Sequence, residues 1–216
     1  MKPVGSLRPK GETMSVNRRE GLVFVVSAPS GGGKTSLVER AVRALPDLKR
    51  SISCTTRPPR PGEQDGVDYE FIGRETFQGR IASGELIEWA EVYDHLYGTP
   101  RSPLESNRKT GIDTILAIEI QGARRVRELF PEAITIFLKP PSLEVLRARL
   151  RERRGEEGAA LEKRLQLARE EMGWISEYEY TILNKDLEEA AGQLQAVIVG
   201  ERRRVRAGSS PQKGSS

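Results

Sequence analysis

The chain is poor in the side chains that most often do chemistry. Its 216 residues include one cysteine, Cys54, and one histidine, His95. A single cysteine excludes an internal disulfide and a cysteine-built zinc site, and it favours a reducing compartment. A single histidine, with no triad or metal set around it, points to a surface loop and not to catalysis. Long hydrophobic runs are missing as well. No apolar stretch approaches a membrane span, and the basic N-terminus is not followed by the apolar segment of a signal peptide. The expectation is a cytoplasmic protein with no membrane partner. No internal repeat is found.

What remains is ordinary for one sizeable α/β core with small inserts. Hydrophobic residues make up 37% and charged residues 31%, with a net charge of +4. Part of the positive excess lies in two segments with little to bury, residues 1–20 and 201–216, which read as disordered basic tails. Arg202-Arg-Arg-Val-Arg206 reads as a solvated run, and no specific nucleic acid is expected.

The most informative stretch begins as an unbroken apolar run, Leu22 to Val26, suited to a strand buried on both faces. It breaks at Pro29-Ser30-Gly31-Gly32-Gly33 and resumes as Leu37, Val38, Ala41, Val42 and Leu45 at helical spacing. Strand, glycine loop and helix form the context of a phosphate-binding P-loop. Glycines let backbone N–H groups approach an anion, and the helix start adds unpaired donors and a positive dipole end. Lys34 can reach terminal phosphates, and the Thr35 hydroxyl can ligate Mg²⁺. Ala28 stands where the usual pattern has its first glycine, which requires a negative φ there.

Further along, Lys49–Thr56 reads as a second strand, with Ile52 and Cys54 alternating. Then comes Arg57-Pro-Pro-Arg60-Pro, whose prolines stiffen the turn that carries two arginines. Taken alone, it fits either a phosphate clamp or a solvated basic loop. Asp68–Ile72 reads as a short strand, and Glu75–Arg80 and Leu86–Glu91 as short helical or extended pieces. Core character returns in Gly111–Gln121, a buried strand interrupted by Glu119, and in Ala133–Leu138. An acid in such a strand is costly unless paired or used. Ser142 caps a helix bearing Leu143, Leu146 and Leu150. The arginines from Arg147 to Arg154 fit a solvated helix face or a mobile lid over phosphates. A helix follows through Leu161, Leu165, Ala168 and Met172. After it come a strand at Thr181–Leu183 and a last helix capped by Asp186 with Glu189. Trp89 and Trp174 read as core or interface packing, and Cys54 as a packed small residue.

Several stretches together are specific. Ser27-Ala-Pro-Ser-Gly-Gly-Gly-Lys-Thr-Ser36, Ser53-Cys-Thr-Thr-Arg-Pro-Pro-Arg-Pro-Gly-Glu63, Gly66-Val-Asp-Tyr-Glu-Phe71, Gly84-Glu-Leu-Ile-Glu-Trp-Ala90, Tyr97-Gly-Thr99, Ile118-Glu-Ile-Gln-Gly122 and Asn184-Lys-Asp-Leu187 occur in this order. Across residues 20–200 the chain resembles the guanylate kinases, which phosphorylate GMP with ATP.

The resemblance implies an α/β, three-layer P-loop fold with a parallel core sheet over 21–53, 100–145 and 169–200. It also implies a small mixed GMP-binding insert at 54–99 and a helical lid at 146–168. ATP would be held by Ala28, Pro29, Ser30, Gly31, Gly32, Gly33, Lys34, Thr35 and Ser36, with Asn184 near the adenine and Mg²⁺ on Thr35. The GMP phosphate would meet Ser53, Arg57, Arg60, Tyr69 and Tyr97, while Glu88, Thr99 and Glu119 read the guanine. Lys34, Arg149, Arg164 and either Arg153 or Arg154, of which Arg154 is preferred, would grip the transferring phosphoryl. GMP, dGMP and ATP are the implied small-molecule partners of a monomer or homodimer. Ala117 replaces an acid the family usually carries, leaving Mg²⁺ to Thr35, phosphates and water. A non-catalytic relative would show a degraded loop, whereas Gly33-Lys34-Thr35 is intact.

Overall fold

The computed structural model describes residues 19–92, 94–154 and 157–208, with residues 153 and 154 described by their backbone alone. The chain opens on β1 (Val23–Ser27), buried at every position. It turns through the glycine loop into α1 (Lys34–Ala44), which buries Leu37, Val38 and Ala41. The single strand expected over Lys49–Thr56 is two strands in different sheets, β2 (Leu48–Arg50) and β3 (Cys54–Thr55). The alternation of side chains continues, but the pairing partner changes. Ser51 N still donates to Ile115 O at 2.9 Å, whereas Cys54 and Thr55 lie opposite Gly98 and Tyr97.

The insert contains β4 (Glu70–Phe71), α2 (Arg74–Ala82), β5 (Leu86–Val92) and β6 (His95–Pro100). Its sheet has the order β4-β3-β6-β5 and is mixed, with β3 parallel to β4 and antiparallel to β6. Cys54, Phe77, Leu86 and Leu96 form its own small core. Its heavy charge therefore coexists with independent packing. Burial pushes the Cys54 thiol up to about 11, in keeping with a packed residue and not a nucleophile.

α3 (Arg101–Lys109) is not apparent from the sequence, because Leu104 alone of its residues is buried. β7 (Asp113–Ala117) ends sooner than the strand expected across Gly111–Gln121. Glu119 is instead the N-cap of α4 (Ile120–Leu129). Apolar spacing around the acid could not separate a strand end from a helix start, since both bury isoleucines. β8 (Ile134–Lys139) follows, then α5 (Leu143–Arg154) and α6 (Gly158–Met172). Leu146, Leu150, Leu161, Leu165 and Ala168 close these two helices on each other. A 3₁₀ turn, Ile175–Glu177, leads to β9 (Tyr180–Leu183) and α7 (Leu187–Arg206). Two expected caps are present: Val145 N donates to Ser142 Oγ, and Asp186 Oδ1 accepts from Glu188 N and Glu189 N.

The core sheet has the order β2-β7-β1-β8-β9, with every neighbouring pair parallel. α1 and α7 cover one face, packing with Phe24, Ile136 and Ile182, while α3 and α4 cover the other with Val25, Leu116 and Val126. This is the three-layer architecture expected from the sequence. β1 lies where the connections diverge to opposite sides of the sheet. Such a switch point opens a crevice at the carboxyl ends of the strands. Trp89 and Trp174 are not core residues, being 49% and 37% exposed, and Arg124 stacks over the Trp174 ring. Among the described residues no helix is long and apolar enough to cross a membrane.

The C-terminal tail begins later than residue 201. α7 continues to Arg206, and Glu201 is buried against Tyr180 and Arg204. The basic run thus hides a helix end that is held in part by Tyr180, 21 residues before Glu201. Residues 1–18 and 209–216, the bulk of both expected tails, lie outside the described residues, as does Tyr93. Asp113 ties the two ends of the core together at 0% exposure. It accepts from Arg19 at 2.7 and 2.9 Å, from Leu22 N at 2.7 Å and from Arg202 Nε at 2.6 Å. Asp113→Ala leaves two guanidinium groups facing a void, and the expected loss is about 3–5 kcal/mol. Urea titration measures it. A loss under about 1 kcal/mol would mean that the arginines find solvent and the tie is superficial.

Candidate active site

β1 delivers the glycine loop to the crevice. Gly31 and Gly33 take φ of 85° and 94°, a left-handed backbone that a side chain would strain. Ala28 meets its requirement, because the described non-glycine residues with positive φ are Asp47 and Asp94. α1 starts without a side-chain cap at Gly33, so its first-turn N–H groups are left to whatever anion sits above them. Lys34 Nζ folds back over the loop, donating to Ala28 O at 2.9 Å and to both Glu119 oxygens at 3.1 Å. Asn184 Nδ2 donates to Gly32 O at 2.7 Å, Arg149 to Asn184 O at 3.0 Å, and Arg164 to Ser30 Oγ at 3.2 Å.

The arginine-rich helices therefore divide. Arg147 forms a surface pair with Glu162 at 2.6 Å, as a solvated face would. Arg149 and Arg164 lean toward the glycine loop. The side chains of Arg153 and Arg154, and all of Gly155 and Glu156, lie outside the described residues.

On the insert side, Arg57 is buried, and four of its five N–H donors are engaged. It meets both Glu63 oxygens at 2.9 Å, Pro58 O at 2.7 Å and Tyr97 Oη at 3.2 Å. Its guanidinium also lies 5.5 Å from the Tyr69 ring centre and 5.7 Å from that of Phe71. Glu63 further accepts from Arg60 N at 2.8 Å. Glu88 is 4% exposed and accepts from Thr99 Oγ1 at 2.6 Å. Burial pushes the Glu88 carboxyl up to about 7, the Thr99 hydroxyl opposes the shift, and the charge of Glu119 adds to it.

One cavity of about 300 Å³ joins these parts. Ser30 and Arg164 line it at the loop end, and Ser53, Arg60, Tyr69 and Glu88 at the other. Its walls thus carry cationic and hydroxyl groups for anions and one buried carboxyl for a donor edge.

The same chain matches the guanylate kinase family model over residues 20–201. A guanylate kinase of Coxiella burnetii is 48% identical over 180 residues, covering 83% of this chain and 87% of its own. One of Symbiobacterium thermophilum is 46% identical over 192 residues, covering 88% and 90%. The crystal structure of guanylate kinase from Anaplasma phagocytophilum superposes with a TM-score of 0.70 at 37% identity, covering 84% of this chain and 86% of that one.

The chain belongs to the guanylate kinase family.

Measured against the sites expected of a guanylate kinase, one cavity brings together Ser30, Ser53, Arg57, Arg60, Tyr69, Glu88, Tyr97, Glu119 and Arg164. Thr99 stands behind Glu88 and not on the wall. Asn184 is buried against the loop backbone, and Glu119 pairs with Lys34. Three groups in or beside this cavity are absent from the expectations drawn from the sequence. His95 is not on a surface loop but begins β6 and lines the cavity. Glu63 had a local signal in its position six residues after Arg57, where its role is to orient the guanidinium. Glu171 had none, since it stands on α6 among charged residues and outside the apolar spacing of Leu161, Leu165, Ala168 and Met172. Burial pushes its carboxyl up to about 7, the Glu119 charge adds to this, and Lys34 and the Ser30 N–H oppose it.

Proposed function

We propose that the protein transfers the γ-phosphoryl group of ATP to GMP, giving ADP and GDP. The carrying observation is the shared cavity, with a phosphate-binding loop at one end and an arginine and carboxylate pocket at the other. A GMP phosphate oxygen attacks the γ-phosphorus in line, and the bond to the β-bridging oxygen breaks as ADP departs. No covalent intermediate on the protein is needed.

In this reading the main chain of residues 28–36 cradles the ATP phosphates. Lys34 leaves Glu119 to neutralise the terminal oxygens, and Arg149, Arg164 and either Arg153 or Arg154 stabilise the charge spread over the equatorial oxygens. Asn184 lies at the adenine side while bracing Gly32. Arg57, pre-oriented by Glu63, joins Ser53, Arg60, Tyr69 and Tyr97 around the GMP phosphate, so that little side-chain entropy is lost on binding. Glu88 and Glu119 meet the base, and Thr99 holds the Glu88 carboxylate from behind. Guanine presents N1–H and an amino group on one edge, which one carboxylate can accept together, and adenine lacks that pair. dGMP keeps the same edge and phosphate and belongs to the same substrate class.

For Mg²⁺ the fit is partial on the protein side. Ala117 occupies the usual acid position, and no group of three or more His, Cys, Asp or Glu among the described residues is arranged to hold a metal. This suits a cation that arrives with ATP and is held by Thr35, phosphate oxygens and water. When bound it supplies positive charge to the β- and γ-oxygens.

A coupled assay with GMP, AMP, dTMP and CMP tests the assignment. GMP is expected to exceed AMP in kcat/KM by at least about 10³-fold. Equal or better turnover of AMP would overturn the guanine reading.

A further inference from the structure

Gly122 sits in the first turn of α4, buried, with an ordinary helical backbone. Nothing in its φ calls for glycine, and glycine is a poor helix former beside alanine. The reason for it lies across the interface with β5. A Cβ built on Gly122 would stand 2.9 Å from Glu88 Cδ and nearer still to Oε2. Carbon atoms in contact keep about 3.5–4.0 Å apart. The obstacle is the end of a flexible side chain, so the fold could yield by moving it. The group that moves is the carboxylate held by Thr99 Oγ1 at 2.6 Å and almost closed off from solvent.

We propose that Gly122 is a specificity-determining position, the missing side chain on α4 being the space that Glu88 needs to face the base of the nucleoside monophosphate. This rests on Glu88 reading guanine, as proposed above. α4 also starts at Glu119, so one helix end sets both carboxylates: it carries Glu119 at its cap and leaves room for Glu88 three residues on. A methyl at 122 pushes the Glu88 carboxylate away from the position fixed by Thr99 without touching the glycine loop.

The test is a double-mutant cycle in the full chain with Gly122→Ala, Glu88→Ala and the two combined. Gly122→Ala is expected to melt no lower than the parent and to leave KM for ATP unchanged. It should raise KM for GMP and lower the GMP-over-AMP preference by about 10²-fold, the scale of a displacement near 1 Å. On the Glu88→Ala background the same substitution should change neither quantity, because no carboxylate remains to be displaced. Four results would overturn the inference. Gly122→Ala could keep the parent's preference while Glu88→Ala loses it, which sinks this inference alone. It could cost as much on the Glu88→Ala background as on the parent. It could melt well below the parent, which makes the glycine a packing residue. Finally, Glu88→Ala could itself retain the guanine preference, in which case the underlying reading falls too.

Discussion

Lys34→Ala lowers phosphoryl transfer by about three orders of magnitude and leaves the fold in place, the scale seen when one preorganised charge donor is removed from a transition state. The fold survives because Lys34 belongs to none of the apolar clusters that hold the core together. Its ammonium holds Ala28 O and a partly exposed Glu119, and alanine is a good first-turn residue for α1. The rate falls because nothing else in the loop carries a full positive charge. Residues 28–33 contribute backbone dipoles, and Arg149 and Arg164 approach from other helices at Asn184 O and Ser30 Oγ. The variant also changes the acids that Lys34 separates. Glu119 and Glu171 then repel each other without the Lys34 charge that offsets them, so Glu171, already pushed up to about 7 by burial, holds its proton more firmly. Circular dichroism melts and a coupled assay read the two halves. A rate within about tenfold of the parent would mean that the glycine loop is not where the transferring phosphoryl sits.

How much of this is legible in the sequence depends on the distance over which each feature is decided. The loop was legible because strand, glycines and helix are contiguous. The caps at Ser142 and Asp186 are legible for the same reason, each reaching only three positions along the chain. The break between β2 and β3 was not, since Lys49–Thr56 alternates throughout and only the change of partner from Ile115 to Gly98 ends one sheet and begins another. The sequence marks Glu119 as a costly acid, but its place at a helix cap beside Lys34 requires α4 to be laid against β1, 85 residues after the lysine. The run Arg202–Arg206 reads as solvated because Asp113, which accepts from Arg202, is 89 residues away, and Glu201, three residues before Arg204, is buried only by the approach of Tyr180. His95 and Glu171 carry no local mark at all. Their positions come from β6 pairing and from α6 closing on the loop.

Glu88→Gln separates binding from stability, and the two change in opposite directions. Glutamine keeps an acceptor for Thr99 but presents an amide N–H₂ where guanine also presents donors. The GMP-over-AMP preference is expected to fall by about 10³-fold, from the loss of two hydrogen bonds to a charged acceptor. The pH dependence follows from the raised carboxyl. Guanine needs the ionised form, so in the parent GMP affinity rises with pH and levels off above about 7. Below that, each unit of pH weakens binding by about tenfold. In the variant this slope disappears, and only the second ionisation of the phosphate, near pH 6, remains.

Stability has the reverse sign. A carboxyl whose pKa is higher folded than unfolded binds its proton more tightly in the native state, so the parent loses stability as pH rises from about 4.5 to about 7. Glutamine has no proton to lose. The stability of the variant relative to the parent should climb by on the order of 3 kcal/mol across that window and stay flat above it. Urea titrations at pH 5, 6, 7 and 8 measure the climb, and calorimetry with GMP over the same range measures the binding slope. Parallel stability profiles for the two proteins would mean that Glu88 ionises freely, leaving no buried carboxyl held ready for the base. A climb in stability without a change in the binding slope would mean that the buried charge is real but faces something other than guanine.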